Sequence, residues 1–225
     1  MSKQKEFQDE VRATFEKIKS HREPYEIKCA GLQIVVNPNV FSPKYFTDSE
    51  YFAEEIPKII KDSSLLEIGT GTGVVALKSA LNGAKVTASD INPNAVKNAQ
   101  DNFRRHGVKA RVLLGDMYEP VKGRKFDFIF WNHPFNRGNN PREELLLRAG
   151  FDFNYQGLER YFSGAREHLT GNGNLLLGTG SFADIKDIMK MASRFGFKER
   201  LMAKKEFPIS PGSRVMNDYR IYGFS

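Results

Sequence analysis

Residues 65–73 read Leu-Leu-Glu-Ile-Gly-Thr-Gly-Thr-Gly, and Val74 to Leu81 continues as an apolar, helix-like stretch. The pattern predicts a buried strand that turns sharply at Gly69, Gly71 and Gly73 and re-enters as a helix. Glycine permits φ > 0 and lets a ligand approach the backbone closely. The helix that follows aims its free N–H groups and positive dipole end over the turn. A nucleotide-like ligand is the natural occupant.

Working outward, strand and helix signals alternate from residue 63 onward. Strands are expected near 63–68, 84–90, 110–115, 126–131, 173–179, 198–207 and 215–224, and helices near 74–82, 93–106, 155–168 and 182–195. This alternation specifies an α/β fold with a doubly wound, mainly parallel sheet. Ligands of such sheets sit at the carboxyl ends of the strands, where the chain reverses direction. Two acids fall there. Asp90 lies 21 positions after Gly69, at the end of the second strand, where a ribose diol would be gripped. The third strand, read over 109–116, ends at Asp116.

The glycine spacing separates cofactors. A dinucleotide fingerprint G-x-G-x-x-G counted from Gly69 would need glycine at Val74. The pattern Glu67-x-Gly69-x-Gly71-x-Gly73 instead resembles the first motif of class I S-adenosylmethionine (SAM) methyltransferases. The resemblance implies a Rossmann-like seven-stranded sheet of order 3-2-1-4-5-7-6 with the last strand antiparallel. It implies that Glu67 orients the methionine ammonium, that Asp90 holds the ribose, and that Asp116 accepts from the adenine amine while the Met117 N–H faces the ring. Gly69, Thr70, Gly71, Gly73 and Ile91 complete the implied cofactor set. The segment VFSPKYFTDSEYFAEEI, residues 40–56, resembles the stretch before motif one in the small methyltransferase domain group. That group includes release-factor glutamine methyltransferases and ribosomal-RNA guanine-N2 methyltransferases. There the segment covers the pocket, so Phe46 and Thr47 are expected to line it.

Residues 126–135, Phe-Asp-Phe-Ile-Phe-Trp-Asn-His-Pro-Phe, deliver Asn132, His133, Pro134 and Phe135 at a strand end. They resemble the Asn/Asp-Pro-Pro-Tyr/Phe motif of methyltransferases that modify a planar amino or amide nitrogen. Such a nitrogen has a delocalised lone pair and is a poor nucleophile. The Asn132 side-chain oxygen and the His133 carbonyl would each accept one of its N–H bonds, stabilising charge as it develops. Phe135 is expected to stack on the planar group. His133 stands where the family carries proline; its carbonyl survives the change, and its ring is expected to point away from the site. A titratable imidazole beside the acceptor is the alternative.

The N-terminal section is expected to elaborate the main domain. Phe7, Val11, Phe15 and Ile18 recur at helical spacing, predicting an amphipathic helix over 3–20. Residues 25–36 alternate around Gly31 and predict a hairpin. Asp48 or Thr47 would cap a helix over 49–61. Residues 1–48 are thus an extension and 49–225 the methyltransferase domain. The polar loop 136–150 beside Asn132 is expected to be a lid or recognition loop.

Composition bounds the function. One cysteine, Cys29, and four scattered histidines give no disulfide framework and no metal-ligand spacing. No run reaches the length of a membrane span, and a cytoplasmic protein is expected. The net charge of +7 favours an anionic partner such as RNA. Substrate partners implied are a protein amide, in a release factor or ribosomal protein, or an RNA base amine. Oligomeric state is left open. Two other readings are a catalytically silent SAM-fold binding module and a nucleotide-dependent oxidoreductase.

Overall fold

The structure is a computed structural model that describes residues 3–140 and 142–225. It opens with α1 (Lys3–Ser20), whose Phe7, Val11, Phe15 and Ile18 are all buried, so the helix exists to lay this stripe on the core. A hairpin follows: β1 (Tyr25–Cys29) and β2 (Leu32–Val36) turn through Ala30 and Gly31, both at positive φ. Next come α2 (Asp48–Ile60), β3 (Ser64–Ile68), α3 (Val74–Leu81), β4 (Lys85–Asp90), α4 (Pro93–Arg105), β5 (Arg111–Leu114) and β6 (Phe126–Asn132). The chain continues through β7 (Asn136–Gly138), β8 (Phe151–Phe153), α5 (Gln156–His168), β9 (Leu169–Gly180), α6 (Ile185–Arg194), β10 (Glu199–Pro208) and β11 (Met216–Phe224).

Seven strands form the central sheet in the order β5-β4-β3-β6-β9-β11-β10, which is the expected 3-2-1-4-5-7-6. The pairings β3–β4, β4–β5, β3–β6 and β6–β9 are parallel, and β11 runs antiparallel to β9 and β10. The central strands are covered on both faces, which is why Leu65 and Leu66 of β3 and Ile129 and Phe130 of β6 are fully buried. The chain reverses direction on either side of β3, and this opens a crevice at the strand ends.

Three expectations need correction. The third strand of the sheet stops at Leu114, so Asp116 lies in the turn beyond it. The strand expected at 173–179 begins at Leu169, through an irregular register against β6. The loop over 136–150, whose residue 141 lies outside the described residues, is framed by structure: β7 and β8 pair in parallel around it.

One arrangement has no local signature. The free edge of β2 is satisfied by asparagines of α4, not by another strand. The Asn102 Oδ1 accepts the Val35 N–H at 2.8 Å, and its Nδ2 donates to the carbonyls of Val35 and Thr72, each at 2.9 Å. Asn98 takes the Asn37 N–H and donates to Val35 O, both at 2.8 Å. Two fully buried amides thereby tie the hairpin to the glycine loop.

Candidate active site

A cavity of about 340 Å³ opens at the carboxyl ends of β3, β4, β5 and β6. The glycine loop forms its floor. Gly69 (φ +65°) and Gly71 (φ +56°) carry the turn, and a Cβ on Gly71 would meet nothing within 4 Å. Thr70 locks the loop from both sides: its N–H donates to Ser89 O at 3.0 Å, and its hydroxyl donates to Glu67 Oε2 at 2.5 Å. Gly73 (φ +82°) is not part of the cavity wall. A Cβ there would stand 2.9 Å from that of Ala99, so Gly73 serves the close packing of α3 on α4.

Three acids line the cavity, as expected. Glu67 is buried on β3, and desolvation pushes its carboxyl up to about 8. Asp90 closes β4; its Oδ2 accepts the Gly71 N–H at 2.9 Å and its Oδ1 the Asn92 N–H at 2.8 Å. Burial raises its pKa, while these backbone donors pull it down. The same carboxylate that shapes the loop keeps lone pairs for a ligand diol. Ile91 is an exposed apolar wall beside it. Asp116 is half-exposed on the rim and pairs with Arg160 of α5, Nη2 to Oδ2 at 3.2 Å. Met117 sits at φ +47°, a left-handed conformation rare for this residue, and faces the same space.

The end of β6 divides into two sides. Asn132 and Pro134 line the main cavity. Asn132 Nδ2 donates to Asp48 Oδ2 at 2.8 Å, whereas its Oδ1 is buried with no hydrogen-bond partner. The His133 ring is buried and lines a second cavity of about 40 Å³. Its Nε2 lies 2.7 Å from the Thr179 hydroxyl, and burial pushes its pKa down to about 3. The ring therefore points away and stays neutral, which removes the alternative of a titratable group beside the acceptor.

Phe135 corrects another expectation. Its ring also lines the second cavity, 5.6 Å from the His133 ring and 6.0 Å from that of Tyr219, so it does not stack over the main one. Phe46 and Thr47 are likewise displaced. Phe46 packs on Phe41 at 4.7 Å in the second cavity's wall, and the Thr47 hydroxyl donates to Pro208 O at 2.5 Å. Phe41 and Ser49 of the same segment reach the main cavity instead. Asp48, read in the sequence as a cap, lines the second cavity and reaches the main one through its hydrogen bond from Asn132. It is buried, takes the Ser49 N–H on Oδ1 at 2.7 Å, and has its pKa raised by desolvation.

The loop expected to act in recognition lines the cavity through Asn140, Leu146 and Arg148. Helix α1 braces it: Lys19 pairs with Glu144 at 2.9 Å, and Phe15 is packed so closely that a Cβ on Gly150 would lie 2.5 Å away.

The family model for the methyltransferase small domain matches residues 31–210. The chain belongs to this family. A Methanocaldococcus jannaschii protein, described provisionally as a protein N5-glutamine methyltransferase, is 28% identical over 200 residues, covering 87% of this chain and 99% of that one. The release factor glutamine methyltransferase of Geobacter sulfurreducens is 32% identical over 179 residues, 74% of this chain and 62% of the relative. Among solved structures, the T. thermophilus 16S rRNA N2 G1207 methyltransferase, in complex with AdoMet and guanosine, superposes with a TM-score of 0.63 at 19% identity over 89% of this chain and 49% of that one. The oxidoreductase reading falls with the family match. The methyltransferase's residues fit SAM on two observations of this structure: open space over Gly71, and three acids lining the cavity around it.

Proposed function

We propose that this methyltransferase transfers a methyl group from SAM to the side-chain amide nitrogen of a protein glutamine. The observation that carries methyl transfer to a planar nitrogen is Asn132, which lines the main cavity and whose Oδ1 is buried without a partner. Leaving such an atom unsatisfied costs about 1–3 kcal/mol, a penalty that an incoming N–H donor relieves. Glu67, Asp90 and Asp116, with the loop at Gly69, Thr70 and Gly71, hold the cofactor, and Ile91 and Met117 cover it. When bound, SAM supplies an electrophilic methyl group to the acceptor nitrogen, which gives up one N–H proton to solvent.

The chain's own contribution is positioning and charge stabilisation. Asn132 Oδ1 accepts one N–H of the acceptor and the His133 carbonyl accepts the other. Both bonds strengthen as the nitrogen turns cationic. Pro134 holds His133 extended, in place of the missing first proline. Residues 1–48 act as an extension that braces the loop and brings Phe41 and Asp48 to the two cavities, and residues 49–225 as the methyltransferase domain. No helix among the described residues is long and apolar enough to cross a membrane. A release-factor substrate, as the name of the Geobacter relative gives it, would place the enzyme's action in the cytoplasm.

The glutamine reading is supported by the names of the two relatives that cover most of this chain. A second reading, an exocyclic amine of an RNA base, is favoured by the net charge of +7. Labelled SAM, purified enzyme and cell extract decide between them. Label removed by protease and retained after ribonuclease is the expected result; the reverse establishes the RNA base, and no labelling under any extract condition removes the enzymatic reading.

A further inference from the structure

An asparagine amide has nearly the same shape in both of its flipped states, so a bonding partner must decide which end faces a ligand. At Asn132 that choice determines whether the site offers an acceptor or a donor. Only an oxygen can receive an N–H of the methyl acceptor and stabilise its growing positive charge. An NH₂ in that place would set donor against donor.

The partner is Asp48, remote in sequence and at the first turn of α2. It is buried, its Oδ1 is occupied by the Ser49 N–H at 2.7 Å, and its Oδ2 stands 2.8 Å from Asn132 Nδ2. Desolvation raises the Asp48 pKa, while the Asn132 NH₂, the Ser49 N–H and the N-terminus of α2 act against that rise and favour the ionised form. An ionised carboxylate is acceptor-only. Flipping Asn132 would press its oxygen against that of Asp48 in a buried setting, where an unpaired polar atom is costly. The NH₂ is therefore held on Asp48, and the oxygen of this cavity-lining residue is left buried without a partner.

We propose that Asp48 is a positioning residue that fixes the polarity of the Asn132 amide, holding its NH₂ back and presenting its oxygen to the acceptor nitrogen. The inference rests on the planar-nitrogen reading given above. It assigns Asp48 to the reaction without contact to either substrate. The rule it implies is that one of the two residues must be an acid and the other an amide.

The test uses the full chain and the variants Asp48→Asn, Asn132→Asp, the double exchange of both, and Asn132→Ala. NMR reads the side-chain amide protons of Asn132, assigned by their loss in Asn132→Asp. In the parent protein these protons should exchange with solvent at least 10-fold more slowly than those of an exposed asparagine. In Asp48→Asn, with the rest of the spectrum unchanged, they should exchange about 10-fold faster. An Asn132 amide that exchanges freely in the parent overturns the proposal without recourse to any variant, and so does an exchange rate that Asp48→Asn leaves unchanged.

Single-turnover methylation of a release-factor domain bearing a glutamine is the second arm. Asp48→Asn should lower the chemical step about 100-fold, with KM and SAM affinity within about 2-fold of the parent. The double exchange should recover at least 10-fold, because the introduced amide donates to the introduced carboxylate and again leaves one oxygen for the acceptor. A merely structural Asp48 would change the amount of folded enzyme and leave kcat per folded molecule unaltered. Full turnover in Asn132→Ala sinks the planar-nitrogen reading itself. An inactive Asn132→Ala beside a fully active Asp48→Asn sinks only the role of Asp48.

Discussion

Gly73 and Ala99 touch through the space where a side chain would stand: a Cβ built on Gly73 lies 2.9 Å from the Cβ of Ala99 and 3.1 Å from its Cα. The third glycine of the loop is thus an interhelical contact, while Gly71, two residues earlier, opens onto the cavity. The two should respond differently to the same substitution. Gly73→Ala combines a left-handed φ of +82° with overpacking and should destabilise the fold by about 2–5 kcal/mol. Gly71→Ala carries the backbone penalty alone, about 1–2 kcal/mol, but sets a methyl group into the ligand space. Urea denaturation and SAM titration by calorimetry should show the larger stability loss at Gly73 and the larger affinity loss at Gly71.

Glu67 should make stability fall with rising pH. Its carboxyl is pushed up to about 8 in the folded protein, from an ordinary value of 4.5. The stabilising difference is fully present below about pH 4.5, where both states hold the proton. It is lost as pH rises toward 8, because the unfolded chain has already released a proton that the folded one retains. Glu67→Gln removes this term. The variant's melting temperature, relative to the parent, should be higher at pH 8 than at pH 5. A difference independent of pH would mean that Glu67 is ionised in the fold.

The strands, the glycine turn and the acids at the strand ends were legible because each is written in a short window: apolar runs, glycines that permit positive φ, acids at fixed offsets. Asp48 was not. Its side chain reads equally as a helix cap until Asn132, 84 positions away, is seen against it. The asparagines of α4 are similar; Asn98 and Asn102 look like polar surface, yet both are buried because the edge of β2, more than 60 residues earlier, needs partners. For Phe46 and Phe135 the sequence supplied aromatic rings near a pocket but not which of two cavities they fill. That was decided by Phe41 and Tyr219, their tertiary neighbours.

His133 should be separable from catalysis. Its ring bonds to Thr179, its N–H donates to Gly178 O at 3.3 Å, and its pKa near 3 keeps it neutral over the working range. His133→Pro restores the family pattern and keeps the carbonyl but deletes both bonds. We expect a stability loss of about 1–3 kcal/mol with kcat per folded molecule retained. The parent's pH–rate profile should show no inflection from this residue between pH 5 and 8. Abolished turnover in a folded His133→Pro would assign the imidazole a part in the reaction.

Asn132 and Phe135, three residues apart, should divide activity from stability. Asn132 lines the main cavity and its Oδ1 has no partner, so on the proposed mechanism Asn132→Ala removes one preorganised acceptor and should lower the chemical step by roughly 10²–10³-fold. SAM affinity should change little, because the acids proposed to hold the cofactor lie on β3, on β4 and beyond β5. Phe135 is buried in the second cavity against His133 and Tyr219, so Phe135→Ala leaves a void there and should cost about 3–5 kcal/mol of stability. Phe135→Leu fills most of that volume and should keep both fold and turnover. Single-turnover rates alongside urea midpoints read the two effects separately. A Phe135→Leu enzyme that folds normally but loses methyl transfer on the order of Asn132→Ala would return Phe135 to the acceptor site and mean that its ring swings into the main cavity during the reaction.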